Sequence, residues 1–189
     1  KYTGEGSHYR HVVGQLTDRD DHETLFRVYI GLCSCVSQLT HRQDCYKDLI
    51  RAIFTYDWSL ETRINVAFTN LIGHLVSYNT VFLIPALEML VKAFIKSPLQ
   101  REMERSNPQA VQTAGLSEKQ SRIHRTLHGL IMLVPTGQAE LFTVIEKNYP
   151  HKRFDAQTQT EYMQQILHVC EYVPVMQPRI LDLVVKKSL

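Results

Sequence analysis

Glycine and proline are scarce in this 189-residue chain: eight Gly and seven Pro argue against long disorder. No apolar run reaches the ~18 residues of a membrane span, and the opening Lys1-Tyr2-Thr3-Gly4-Glu5-Gly6 does not resemble a signal peptide. A large charge of either sign is also missing. The formal net charge of +2 is too small to imply nucleic-acid binding by itself. Cysteine is limited to Cys33, Cys35, Cys45 and Cys170, mostly within apolar helical patterns, which fits reduced thiols in a reducing compartment. Cys33, Cys35, His41 and Cys45 look superficially like a ligand cluster. Residues two apart on a helix point to nearly opposite sides, however, so Cys33 and Cys35 cannot chelate one tetrahedral zinc and no metal site is expected. There is no Gly-rich phosphate loop, no GxSxG elbow and no HExxH. The carboxylates are scattered and unpaired. These gaps exclude a catalytic site, a cofactor site and a small-molecule substrate, so no enzyme is expected. The chain lacks an initiating Met and ends abruptly at Lys186-Lys187-Ser188-Leu189, so we expect an excised fragment of something longer, with any targeting signal outside it.

What the chain does have is helical periodicity. The 44% hydrophobic and 21% charged fractions are those of a soluble globular domain able to bury a substantial core, expected to be a single domain over residues 1–189. Ile64, Ala67, Phe68, Leu71, Ile72, Leu75 and Val76 recur at helical spacing, as do Leu83, Leu87, Leu90, Val91, Phe94 and Ile95. The short connection Ser77-Tyr78-Asn79-Thr80 folds the two helices back on each other. Ser59 is the expected N-cap, with Glu61 in the first turn. Pro85 must either start the second helix or kink it.

Before this central hairpin, a short helix from about His8 to Leu16 is followed by Asp20 and Glu23, a near capping box. This opens a long helix to about Leu39, which Thr40-His41-Arg42 turns into a return helix carrying Cys45, Leu49, Ile50, Ile53 and Phe54. After it, residues 97–116 lose periodicity and read as a loop insertion. Ser117 with Gln120 is a capping box opening a third hairpin, which turns at Val134-Pro135. A fourth turns at Pro174 to Pro178, with Pro178 suited to a first helical position. An offset of 39 aligns these last two: Val134 meets Val173, Pro135 meets Pro174, Leu141 meets Ile180, Ile145 meets Val184 and Lys147 meets Lys186. A period near forty with two helices per unit is the signature of HEAT or armadillo repeats. The expected fold is therefore an all-α solenoid of about four antiparallel hairpins.

Three sets of polar residues are candidates for function. His124 and His128, four apart beside Arg122 and Arg125, read as solvent-facing, and His74 as a half-buried structural histidine. Lys119, Arg122 and Arg125 on one helix, with Lys147, Lys152 and Arg153 in the following region, make a basic patch. It would suit an acidic partner or a phosphate backbone, although no aromatic residues are interleaved with it. Hydroxyls recur near the ends of first helices at Ser34, Ser37 and Thr40, at Ser77 and Thr80, and at Thr136. Such residues cap helices and fill turns. They would also form a docking strip that a phosphate, at about −1.5 to −2 charge, could switch off.

The stretches NLIGHLVSYNTVFLIPALEMLVKAFI (70–95), IHRTLHGLIMLVPTGQAELFTVIEKNYP (123–150) and LHVCEYVPVMQPRILDLVVKK (167–187), with both Val-Pro turns, resemble the RNA polymerase I-specific transcription initiation factor TIF-IA (Rrn3-type) family. Lys1-Tyr2 and the Gly-rich residues after it fit the start of that family's helical domain. The resemblance covers this whole chain and the N-terminal part of a family member. It implies a non-enzymatic HEAT-repeat factor of the nucleus and nucleolus that binds RNA polymerase I near its stalk and recruits it to promoter-bound factors at ribosomal RNA genes. It further implies control by phosphorylation and a serine patch contacting the polymerase, whose neighbourhood here would include Ser34, Ser37, Ser77 and Thr136. Family members often carry an acidic run in the insertion that is mixed in charge here. Two other readings remain: a HEAT or armadillo adaptor for transport or assembly, and a solenoid contacting DNA or RNA through the basic residues. A homodimer is compatible with all three.

Overall fold

The computed structural model describes residues 5–18, 21–41, 43–95, 118–151 and 153–188. Every regular element among them is helical, and none is long and apolar enough to cross a membrane. Residues 97–116, Asp20 and Ser117 lie outside the described residues, as do the side chains of Thr40 and Lys152. The chain divides into two compact units, Lys1–Met89 and Leu90–Leu189.

In the first unit, α1 (Glu5–Thr17) is tied to α4 (Lys47–Ile53) by the Leu49 amide donating to Tyr9 Oη at 3.1 Å. The cap of α2 (His22–Ser34) is Asp21, one residue later than the expected Asp20, and its carboxylate accepts from the Thr24 amide at 3.0 Å. The long helix expected to reach Leu39 breaks at Cys35, whose amide bonds to Leu32 O, and resumes as α3 (Val36–His41). The return helix starts at Lys47, after a 3-10 stretch over Gln43–Tyr46.

The central helix α5 (Thr62–Tyr78) buries Ile64, Ala67, Phe68, Leu71, Ile72, Leu75 and Val76, the stripe read from its spacing. Its first residue corrects the expected cap. Glu61 is the N-cap and makes no side-chain cap bond. Ser59 instead bonds Asp57 through both its amide and its hydroxyl, at 2.9 and 2.7 Å. Glu61 is drawn away by His22, Nδ1 to Oε1 at 2.7 Å. Asn65, absent from the apolar pattern, is buried because its Nδ2 donates to Leu60 O and Glu61 O and fastens the approach to the helix. Around Phe68 the unit packs rings: Tyr56 stacks on it at 3.6 Å, and Tyr29 and Trp58 meet it edge-on at 5.4 and 5.7 Å. Pro85 falls in the first turn of α6 (Leu83–Lys92), where a missing N–H costs nothing, so it starts the helix without kinking it. This helix ends three residues before the expected Ile95, and the boundary between the two units falls within it.

The second unit holds two hairpins: α7 (Glu118–Leu133) with α8 (Gln138–Lys147), and α9 (Ala156–Tyr172) with α10 (Gln177–Ser188). The 39-residue offset holds in the elements themselves, since α7 ends at Leu133 and α9 at Tyr172, and 3-10 turns follow over Pro135–Gly137 and Pro174–Met176. Pro178 is the second residue of α10, still in the first turn. Tyr162, fully buried, donates its hydroxyl to Ile145 O at 2.7 Å and joins the two hairpins.

Candidate partner-binding surface

The hairpin tips share one backbone design. At the central tip the Asn79 amide bonds Leu75 O and the Phe82 amide bonds Asn79 O. Val134 with Leu130, then Gly137 with Val134, repeat this in the third hairpin, and Val173 with Val169, then Met176 with Val173, in the fourth, all at 2.9 to 3.1 Å. The fourth residue of each turn, Phe82, Gly137 or Met176, is buried, while the two before it face solvent. These outward pairs are Thr80-Val81, Pro135-Thr136 and Pro174-Val175. Thr80 and Thr136 are thus exposed by the turn itself, although they sit at neighbouring and not identical positions. Ser77 is exposed in the last turn of α5. Around the central tip Tyr78, Val81 and Ile84 are also about half exposed or more (54%, 61% and 49%).

Ser34 and Ser37 reach the same end of the first unit as Ser77. His22 bonds Glu61, and the Arg63 guanidinium bonds Glu23 at 3.0 Å, so α2 and α5 start side by side and run parallel. Tyr29 against Phe68 keeps that register one to two turns further on, and beyond the break at Cys35 the helix α3 that carries Ser37 still packs against α5. Ser34 is exposed and Ser37 half-buried. Thr136 belongs to the second unit.

The basic residues are less uniform than their spacing suggests. Arg122 is largely covered and ion-paired to Glu118, and Lys119 is half-buried, while Arg125, Lys147 and Arg153 are exposed. Phe154, which follows Arg153 at the end of this set, is 55% exposed. Of the cysteines, Cys33 and Cys170 are half-buried and Cys35 and Cys45 exposed, all as free thiols. Among the described residues no group of three His, Cys, Asp or Glu side chains is placed to hold a metal.

The histidine readings change most. His74 is exposed, where a half-buried side chain was expected. His124, expected at the surface, is 4% exposed. Its Nδ1 lies 2.7 Å from Tyr172 Oη and its Nε2 2.9 Å from Gln165 Oε1. Phe94 stacks on the imidazole at 5.1 Å, and His168 meets it edge-on at 4.5 Å. A neutral ring with the proton on Nε2 satisfies both bonds, Gln165 accepting and Tyr172 donating. Burial, with a smaller contribution from His168, lowers the His124 pKa to about 4. The ring therefore holds α9 against α7 and is unavailable to a partner. No signal within α7 announced this, because the residues that cover the ring come from other parts of the chain.

A family model described as RNA polymerase I specific transcription initiation factor RRN3 matches residues 2–189. The mouse (Mus musculus) RNA polymerase I-specific transcription initiation factor RRN3 is 25% identical over 200 residues, covering 98% of this chain and 28% of that protein. The Schizosaccharomyces pombe protein described as RNA polymerase I-specific transcription initiation factor rrn3 is 23% identical over 120 residues, covering 64% and 18%. The crystal structure of RNA polymerase I transcription initiation factor Rrn3 superposes with a TM-score of 0.72 at 16% identity, over 95% of this chain and 34% of that one, and establishes the helical solenoid fold class. The chain spans about a third or less of the length of these relatives. With a match over nearly its full length, the chain belongs to the RRN3 family of RNA polymerase I-specific transcription initiation factors.

Proposed function

We propose that this chain is part of a non-enzymatic initiation factor that binds RNA polymerase I, on its stalk side, and helps to recruit it to promoter-bound factors at ribosomal RNA genes in the nucleolus. The observation that carries this reading is the family match across residues 2–189. The geometry supports a docking role for the hydroxyl-bearing ends: Ser34, Ser37, Ser77 and Thr80 arrive at one end of the first unit, and Thr136 projects from a tip of the second. The exposed apolar side chains Tyr78, Val81 and Ile84 beside Ser77 and Thr80 offer a surface whose burial would favour association. A phosphate on Ser77 or Thr80 would bring about −1.5 to −2 charge into that apolar setting and oppose docking.

The test is capture of RNA polymerase I from nuclear extract on the full-length protein. Ser77→Asp and Thr80→Asp are expected to reduce the polymerase retained while leaving the thermal melt unchanged. Retention equal to wild type would overturn the docking role, and capture dominated by transport receptors would favour an adaptor of another pathway.

A further inference from the structure

One end of the second unit is marked by what it exposes. The His124 ring meets His168 at 4.5 Å and, one turn on, the His128 ring meets Tyr172 at 5.1 Å, so α7 and α9 run in the same direction and their turns open at the same end. Residues 129–139 and 172–178 span the ends of α7 and α9, both turns and the starts of α8 and α10. They hold no Asp, Glu, Lys or Arg, in a chain where 21% of residues are charged. Met132 is 69% exposed, Leu133 53% and Val175 67%. Pro135, Ala139, Pro174 and Pro178 are exposed as well, and the only exposed polar side chains among these residues are Thr136 and Gln177.

An exposed apolar side chain standing singly needs no explanation. These stand together on two turns that open side by side, and the scaffold does not require them. The turns use their prolines, their amide-to-carbonyl bonds and the inward-facing Gly137 and Met176; none of these depends on Met132, Leu133 or Val175 being apolar. The charges just outside are directed elsewhere. Glu171 pairs with His168 at 2.9 Å, and Arg179 lies over the Phe142 ring at 3.8 Å. Arg125 is about two helical turns back from Met132 on α7. A nucleic acid, an anionic lipid surface or an acidic peptide would need Lys or Arg at this end. A basic peptide would need Asp or Glu, and any charge buried against these side chains would go unpaired. The complement of such a surface is an uncharged, apolar protein face.

We propose that the tips of the third and fourth hairpins dock an uncharged apolar face of the polymerase, with Met132, Leu133 and Val175 as the side chains that become buried. The inference rests on the reading that this factor binds RNA polymerase I, and adds to it the chemistry of one contact. Thr136 lies within that charge-free tip, where a phosphate would meet no cation.

Capture of RNA polymerase I from nuclear extract on the full-length protein, over a dilution series, tests this. The double variant Met132→Gln, Val175→Thr keeps side-chain size and adds no charge. It is expected to raise the concentration for half-maximal capture about tenfold. The factor should be the same at about 0.1 M and about 0.4 M salt, because an apolar contact is not screened. Met132→Leu is expected to capture as wild type does. Both positions are exposed, so the melting curves of all variants should match wild type. Wild-type capture by the double variant, or a loss that shrinks as salt rises, would overturn the proposal and leave the polymerase reading standing; no capture by the wild type would overturn both. Self-association of the wild type that the double variant abolishes would assign the tips to a second copy of the chain and overturn the proposal as well.

Discussion

Both ring nitrogens of His124 are satisfied while the imidazole is neutral, so a second ring proton would sit at Nδ1 facing a hydroxyl that is already donating. The consequence is a dependence of stability on pH with a definite sign. The folded pKa of about 4 lies below the ordinary 6.5, so between those values the unfolded chain binds more protons, and stability falls as pH is lowered from 6.5 to 4. The full difference amounts to about 3 kcal/mol as an upper bound. Chemical denaturation of wild type and His124→Gln at pH 7 and pH 4.5 should show a smaller loss in the variant, because carboxylates contribute equally to both; equal losses would refute it. Tyr162→Phe removes the hydroxyl that donates to Ile145 O and should cost about 1 kcal/mol at any pH below the tyrosine range, measured by the same unfolding curves. At this scale the sequence was least legible. The spacing of His124 and His128 gave no sign that Tyr172, Gln165 and Phe94 close over the first, and the polar Asn65 gave none that it belongs inside. Burial of a polar side chain depends on partners that folding brings together.

Helices, in contrast, were written plainly wherever an apolar stripe was long. Leu71 and Val66 share α5, yet Leu71 is fully buried and Val66 is 55% exposed. Leu71→Ala should therefore cost about 2–5 kcal/mol and Val66→Ala only a few tenths, a contrast that thermal unfolding will read directly. Gly31 in α2 and Gly129 in α7 have open space where a Cβ would stand, so Gly31→Ala and Gly129→Ala should each raise stability by about 0.5–1 kcal/mol. Element ends were harder to read. The interruption at Cys35 carries no Gly or Pro, and its neighbours have similar helix preferences, so nothing local marked it. Similarly, Ser59 had the right chemistry for a cap, but Asp57 engages it and the helix starts three residues later. At the Val-Pro turns, where a proline fixes the first residue, the turns open where expected, although the fourth return helix starts at Gln177, inside the expected Pro174 to Pro178 turn.

For the molecule as a whole, the period of 39 was legible because it repeats hydrophobic spacing and turn chemistry together, and it recurs as element bounds in the second unit. Parallel placement of α2 and α5, which carries the chain from the start of α5 toward its Ser77 end, was only implied by the repeat and is fixed by the His22–Glu61 and Glu23–Arg63 contacts. Repeat stacks are stabilised mainly by nearest neighbours. Leu127→Ala, deep in the second unit, should therefore raise amide hydrogen exchange in α7 to α10 well before it affects α1 to α5. Uniform acceleration along the chain would show instead that the two units unfold as one.

The three tips hold their shape through amide-to-carbonyl bonds, one inward-facing residue and, at two of them, a proline in the first outward position, while the side chains of Thr80 and Thr136 point to solvent. Substitution there is cheap for the scaffold, so a kinase acceptor can be gained, moved by one residue or lost between descendants without a compensating change in the core. Regulation of such a factor can diverge between lineages faster than its architecture does.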